Sequence, residues 1–210
     1  MTISPSFNWK LRSAGIGRVF ALIAALVIPS ISIVIANPFQ KSNEPQFALM
    51  NYVLNNSKKA EAIFDGNSAY VFRNQAYYYG SLVEGIRERI AAGEISSNIE
   101  ESLTNNRCRM VIDDDRVSSL PANFQKFFRN NYVVDKFPNV YIAGKDLGPE
   151  NIDNNRAIFH IDLPLTYRIE TNTKTFWLDG KATSVPVFLA KGTHRIEANQ
   201  NLTYVKLRGY

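Results

Sequence analysis

From Val19 to Gln40 the chain carries no charged residue, and the eighteen residues Val19–Ala36 are almost wholly apolar. At a helical rise of about 1.5 Å such a run reaches roughly 27 Å, against a hydrocarbon core of about 30 Å. Asn37 to Gln40 supply the remainder at the interface. Pro29, Ser30 and Ser32 weaken the helix locally, an interruption that membrane helices tolerate. Lys10, Arg12 and Arg18 precede the run, and no acidic residue occurs before Glu44. The positive-inside rule then places the N-terminus in the cytoplasm and everything after Lys41 outside it. A cleaved signal peptide is the alternative, but its apolar stretch is normally about 7–15 residues and ends in a small-x-small site. Val34-Ile35-Ala36 lacks that first small residue. The expectation is a cytoplasmic basic flank over 1–18, a single transmembrane helix over 19–40, and a single-pass protein of the cell (inner) membrane whose C-terminal domain is extracytoplasmic.

The rest of the chain is unremarkable in charge. Of 24 Lys+Arg and 19 Asp+Glu in 210 residues, three bases and no acids fall in the first 40. The basic balance therefore sits largely beside the apolar run, which removes the main support for a nucleic-acid partner. One cysteine, Cys108, excludes an internal disulfide framework and a Cys-based zinc site. The two histidines, His160 and His194, lie on expected strands as surface or edge residues, with no nucleophile motif near them. No G-x-S-x-G and no glycine-rich phosphate loop occurs. No metal and no cofactor is implied.

Over 45–143 the pattern alternates strand and helix. Pro45, Phe47, Leu49, Met50, Val53 and Leu54 predict an amphipathic helix, and Ala62-Ile63-Phe64 a buried strand ending at Asp65-Gly66. Leu82, Ile86 and Ile90 mark a second helix. Ser97 with Glu100 fits a capping box for a third, which ends near Asn105. Cys108–Ile112 is a second buried strand, and Pro121 opens a helix with Phe124, Phe127 and Phe128 at helical spacing. Tyr132-Val133-Val134 and Val140-Tyr141-Ile142 complete a small parallel-type α/β sheet domain. Over 150–210 the period becomes two. Phe159, Ile161, Leu163, Tyr167 and Ile169 alternate with polar residues, and Asp179-Gly180 is a hairpin turn. That region predicts an antiparallel, β-sandwich-like module, so the fold class is α/β plus all-β.

Three places invite a functional reading. Asp113-Asp114-Asp115 places carboxylates in a row, but consecutive side chains of an extended segment face opposite ways and do not share one ion easily. Cys108, between Arg107 and Arg109, begins an apolar strand, where a free cysteine behaves as a small hydrophobe. The third is Arg73 with Tyr77, Tyr78 and Tyr79, where aromatic faces beside a guanidinium suit a sugar, a phosphate or a protein partner. The alternative is that the tyrosines pack the helix start against the sheet and Arg73 pairs locally.

Asp65-Gly66, Phe72-Arg73, Ala76-Tyr77-Tyr78-Tyr79, Leu82 and Ile86-Arg87 resemble a segment of bacterial multi-spanning glycosyltransferases. These are related to dolichyl-phosphate-mannose protein mannosyltransferases and use polyprenyl-phosphate sugar donors. The similar segment is the extracytoplasmic domain that follows their last membrane helix. Cys108–Asp115, Trp177–Gly180 and Leu189–Ile196 are similar to later parts of that domain. Asn67 and Asn74-Gln75 stand where the family pattern has Trp and Pro-His. The family's catalytic acid lies in an early loop, and this chain has no Asp or Glu before Glu44 to match it. The resemblance thus implies a non-catalytic accessory or detached C-terminal domain. Its partners would be the bilayer, a multi-spanning glycosyltransferase subunit, and a glycan or polyprenyl-phosphate sugar. The alternative is an independent extracytoplasmic carbohydrate-binding or envelope protein-interaction module.

Overall fold

A computed structural model describes residues 25, 27, 28, 43–67, 73–78 and 82–210. The chain divides into two units, 1–48 and 49–210. In the first unit Ala25, Val27 and Ile28 are helical and exposed. The remainder of the expected transmembrane helix over 19–40 lies outside the described residues. Among the described residues no helix is long and apolar enough to cross a membrane. The expected transmembrane helix is thus not shown by the described residues.

Helix α1 spans Glu44–Asn55. The next elements are β1 (Ala62–Phe64), β2 (Asn74–Gln75), α2 (Glu84–Ala91), α3 (Ile99–Asn105) and β3 (Met110–Ile112). Then come α4 (Asp115–Ser118), α5 (Ala122–Asn131), β4 (Tyr132–Val134) and β5 (Val140–Leu147). Strand β1 runs parallel to both β2 and β3, but β5 runs antiparallel to β3 and β4. The sheet is therefore mixed rather than parallel. The reason is local: α5 passes directly into β4, which turns back into β5 as a hairpin and needs no crossover.

Alternation along these strands creates two buried faces. Ile63, Met110, Ile112, Val140 and Ile142 pack with Val53 and the half-buried Leu49, Met50 and Tyr52 of α1. Phe64, Val111 and Ala143 face the other way, into Ile99 and Leu103 of α3 and Phe124 and Phe128 of α5. Helix α3 starts after Asn98, with no side-chain cap bond, so the capping box expected from Ser97 does not form.

The last third is β6 (Ile152–Asp153), β7 (Arg156–Ile161), β8 (Leu165–Thr171), β9 (Trp177–Leu178), β10 (Lys181–Ala182), β11 (Val187–Leu189), β12 (Gly192–Glu197) and β13 (Val205–Gly209). The expected alternation holds. Ala157, Phe159 and Ile161 are buried while Ile158 and His160 are exposed. Asp179 and Gly180 both take positive φ, at 52° and 77°, as a tight hairpin requires. Asn154 and Asn155, at 48° and 60°, do the same between β6 and β7.

A separate sandwich does not form. Strands β11, β8 and β13 continue the α/β sheet through β5, in the order β11-β8-β13-β5-β3-β1-β2. Strand β4 pairs β5 beside this path, and the remaining strands make an antiparallel sheet, β10-β9-β12-β7-β6. Residues of both sheets and of α3 and α5 share one core, from Phe64 and Phe124 to Tyr167, Ile196 and Leu207. The hydrophobic pattern records which face of each strand is buried. It does not record which sheet a strand joins, and that is why the sandwich was expected as a unit of its own.

Candidate functional site

The tyrosine–arginine segment is only partly a surface. Arg73 is half-buried and donates from Nε to Ser57 Oγ at 2.8 Å, and from Nη2 to the carbonyls of Leu54 at 2.8 Å and Ser57 at 2.9 Å. These acceptors lie at and just beyond the end of α1, where helix carbonyls lack intrahelical donors. Ser57 Oγ itself donates to the Val53 carbonyl at 2.6 Å. Arg73 thus ties the end of α1 to the start of β2. Tyr77 packs edge-on against the buried Phe64, with ring centroids 6.3 Å apart. Tyr78 is 70% exposed. Tyr79 lies outside the described residues, as does Phe72.

Arg73→Ala removes all three donors at once. It is expected to destabilise the 49–210 unit by about 1.5–3 kcal/mol, the range for hydrogen bonds to a charged group. Arg73→Lys should recover only part of this, because an ammonium does not reproduce the guanidinium fork. Urea melts of the two variants check it. An Ala variant as stable as wild type would remove the tie from the fold.

The three aspartates divide their work. Asp114 caps α4, accepting from the backbone N–H of Arg116 at 3.0 Å and Val117 at 2.9 Å, and it also accepts from Asn67 Nδ2 at 2.7 Å. Arg116 Nη1 donates back to the Gly66 carbonyl at 3.0 Å. Burial, with the Asp114 charge beside it, pushes the Asp113 carboxyl up from its ordinary value. Asp65, at the end of β1, is buried. These groups stand at the carboxyl ends of the parallel pair β1 and β3, where open α/β sheets commonly place ligands. Yet among the described residues no group of three or more His, Cys, Asp or Glu is arranged to hold a metal ion. Here the Asp114 carboxylate caps and ties, while Asp113 Oδ1 is buried with no hydrogen-bond partner among the described residues.

Cys108 is fully buried, and burial pushes its thiol up to about 12 despite the nearby Arg109. A thiol that stays protonated is neither nucleophile nor ligand. Tyr132 Oη donates to the Cys108 carbonyl at 2.9 Å, fixing the turn into β3.

Sequence reading did not assemble the cleft that the fold builds beside α3. It measures about 390 Å³ and is lined by Glu100, Glu101, Thr104 and Asn105 of α3, Phe127 of α5, Asp162 between β7 and β8, and Lys191 between β11 and β12. Glu100 Oε1 accepts from Asn123 Nδ2 at 3.1 Å, and Asp162 Oδ1 is 3.5 Å from His160 Nε2. Thr104 Oγ1 donates to the Glu100 carbonyl one turn back, at 2.8 Å. Phe127 is half-buried, packs against the core and also lines the cleft. Four separated stretches supply the lining, so no local motif announces it. The one available signal is the polar stripe Glu101, Thr104, Asn105 at i, i+3, i+4 on α3.

The chain matches no family model, no curated protein and no solved structure. The likeness to the glycosyltransferase domain gains no support from these comparisons.

Proposed function

We propose that the 49–210 unit is a non-catalytic binding module that holds a saccharide in the cleft beside α3. The observation that carries this is the lining: a half-exposed Phe127 ring beside carboxylates, an amide, a hydroxyl and one ammonium, in a volume of about 390 Å³. A sugar ring has an apolar C–H face and a rim of hydroxyls. It therefore calls for an aromatic face together with acceptors and donors set around it. The volume lies within the range of about 300–1,000 Å³ typical of small-molecule sites. The cleft's alcohol, Thr104, bonds its own helix rather than a base, which favours holding over turnover.

Titration of the full chain with a panel of neutral mono- and disaccharides, followed by amide chemical shifts, tests the reading. Binding should perturb the amides of α3 and of Asp162 and Lys191. Phe127→Ala should weaken it about tenfold, equivalent to about 1.4 kcal/mol. Glu101 is exposed, so Glu101→Gln should weaken binding while leaving the melting temperature unchanged. No shift with any sugar, or shifts confined to another face, would remove the proposal.

A further inference from the structure

We propose that His194 is a positioning residue for the cleft: its ring, bonded at both nitrogens, braces the Ala190–Lys191 crossing between the two sheets and so sets Lys191 in the cleft wall. The inference rests on the saccharide reading of that cleft.

Strand β11 belongs to the mixed sheet and β12 to the antiparallel one. Only Ala190 and Lys191 join them. His194, on β12, donates from Nε2 to the Ala190 carbonyl at 2.8 Å and from Nδ1 to Asp179 Oδ2 at 2.8 Å. Its side chain is 13% exposed and lies beside the Phe159 ring of β7, with centroids 6.0 Å apart. Asp179 is itself fixed, since its Oδ1 accepts from the Arg195 backbone N–H at 2.8 Å. The brace therefore runs from the β9–β10 turn through the imidazole to the residue preceding Lys191. Lys191 is exposed, and among the described residues it makes no ion pair that would hold it otherwise. The bond to the Ala190 carbonyl fixes the backbone immediately before it.

Both ring nitrogens face acceptors, and a neutral imidazole carries a single N–H. The brace is complete only on the imidazolium. Burial works against that charge, but the Ala190 carbonyl and the Asp179 carboxylate outweigh it, and the His194 pKa is raised. Asp179 moves the other way. Burial would raise it, but His194 and Arg195 hold it below its ordinary value, so it stays ionised throughout the range in which His194 titrates. Arg195 follows on the same strand, and on β7 the residue opposite His194 is the uncharged Phe159. A raised histidine fixes the sign. Both bonds are present below the ordinary value of about 6.5, and one of the two is lost as pH rises through the higher folded value.

The experiment is the same saccharide titration run from about pH 5.5 to about pH 8.5 on the wild type, His194→Gln and Lys191→Ala. Wild-type affinity should fall about three- to fivefold across that range, the scale of one partly exposed charged contact. His194→Gln should bind weakly and without pH dependence, and Lys191→Ala should lose the pH dependence too. In the free protein the Lys191 amide shift should titrate together with the His194 ring. Affinity that is flat in the wild type, or equally pH-dependent in His194→Gln, would overturn this inference and leave the saccharide reading standing. Absence of saccharide binding at every pH would remove both.

Discussion

Replacing Phe124 by alanine is expected to destabilise the 49–210 unit by about 3–5 kcal/mol, the range for emptying a buried aromatic site. Phe124 is 1% exposed. Its ring centroid lies 6.1 Å from Phe64 on β1, 6.1 Å from Phe128, and 6.5 Å from Phe127 at the cleft wall. It thus links β1 to the helix that carries Phe127. Domains of this size are stable by only about 5–15 kcal/mol, so the loss takes a large part of the total. At roughly 2–4 °C per kcal/mol, the melting temperature should fall by roughly 6–20 °C. Phe124→Leu keeps much of the volume and should cost much less. Chemical denaturation of both variants checks the order. A loss under about 1 kcal/mol for Phe124→Ala would mean that α5 is not seated on the sheet through this ring.

That ring shows what the sequence exposes and what it hides. Phe124, Phe127 and Phe128 at helical spacing predict a helix with an aromatic face, and the helix is there. Spacing also gives the inward set of β7 and β8, because one solvated face makes the period of two visible. Strand partners are another matter. Nothing in Val205–Gly209 says that it lies between β5 and β8, since pairing depends on where two distant segments meet. The short β6 likewise escapes notice. Its turn is Asn154-Asn155, where asparagine takes the left-handed conformation without the glycine that made Asp179-Gly180 conspicuous.

The site follows the same division. Arg73 and Tyr77 stand out in the sequence because they are four residues apart and chemically rich, and the fold turns both to structural use. The guanidinium is bonded to the end of α1, and Tyr77 leans on Phe64. Glu100 reads locally as a capping residue and Phe127 as core, yet both line the cleft with Asp162 and Lys191. A site assembled across α3, α5 and two loops has no local signature. Its members become visible only once β11 and β12 are assigned to different sheets and their two-residue link is seen to stand opposite α3.

The second large effect is expected at Gly144, where the two regions of the chain are joined. The residues before it in β5 pair with β3 and β4, and Gly144 itself pairs with Arg208 of β13. A Cβ on Gly144 would collide with the Leu207 carbonyl oxygen, nearer than real Cβ contacts come, and would also sit 3.1 Å from Val133 Cγ2. The obstruction on the β13 side is backbone held in a sheet ladder, so no rotamer change relieves it. Small-to-large changes in packed interiors cost about 1–3 kcal/mol and occasionally more, and an immovable carbonyl puts Gly144→Ala at or above the top of that range. Relief requires β13 to move away from β5. The damage should therefore be local first: amide exchange should quicken at Leu207 and at its β8 partner Ile169 before it quickens at Met110 or Val111. Gly180→Ala is the control. Nothing lies near a Cβ there, and its cost should be that of a left-handed φ of 77° alone. If Gly144→Ala and Gly180→Ala cost the same, the close approach of β13 to β5 is wrong. If exchange quickens uniformly, the two regions unfold as one, and the strand crossing at Gly144 is no weaker than the core beneath it.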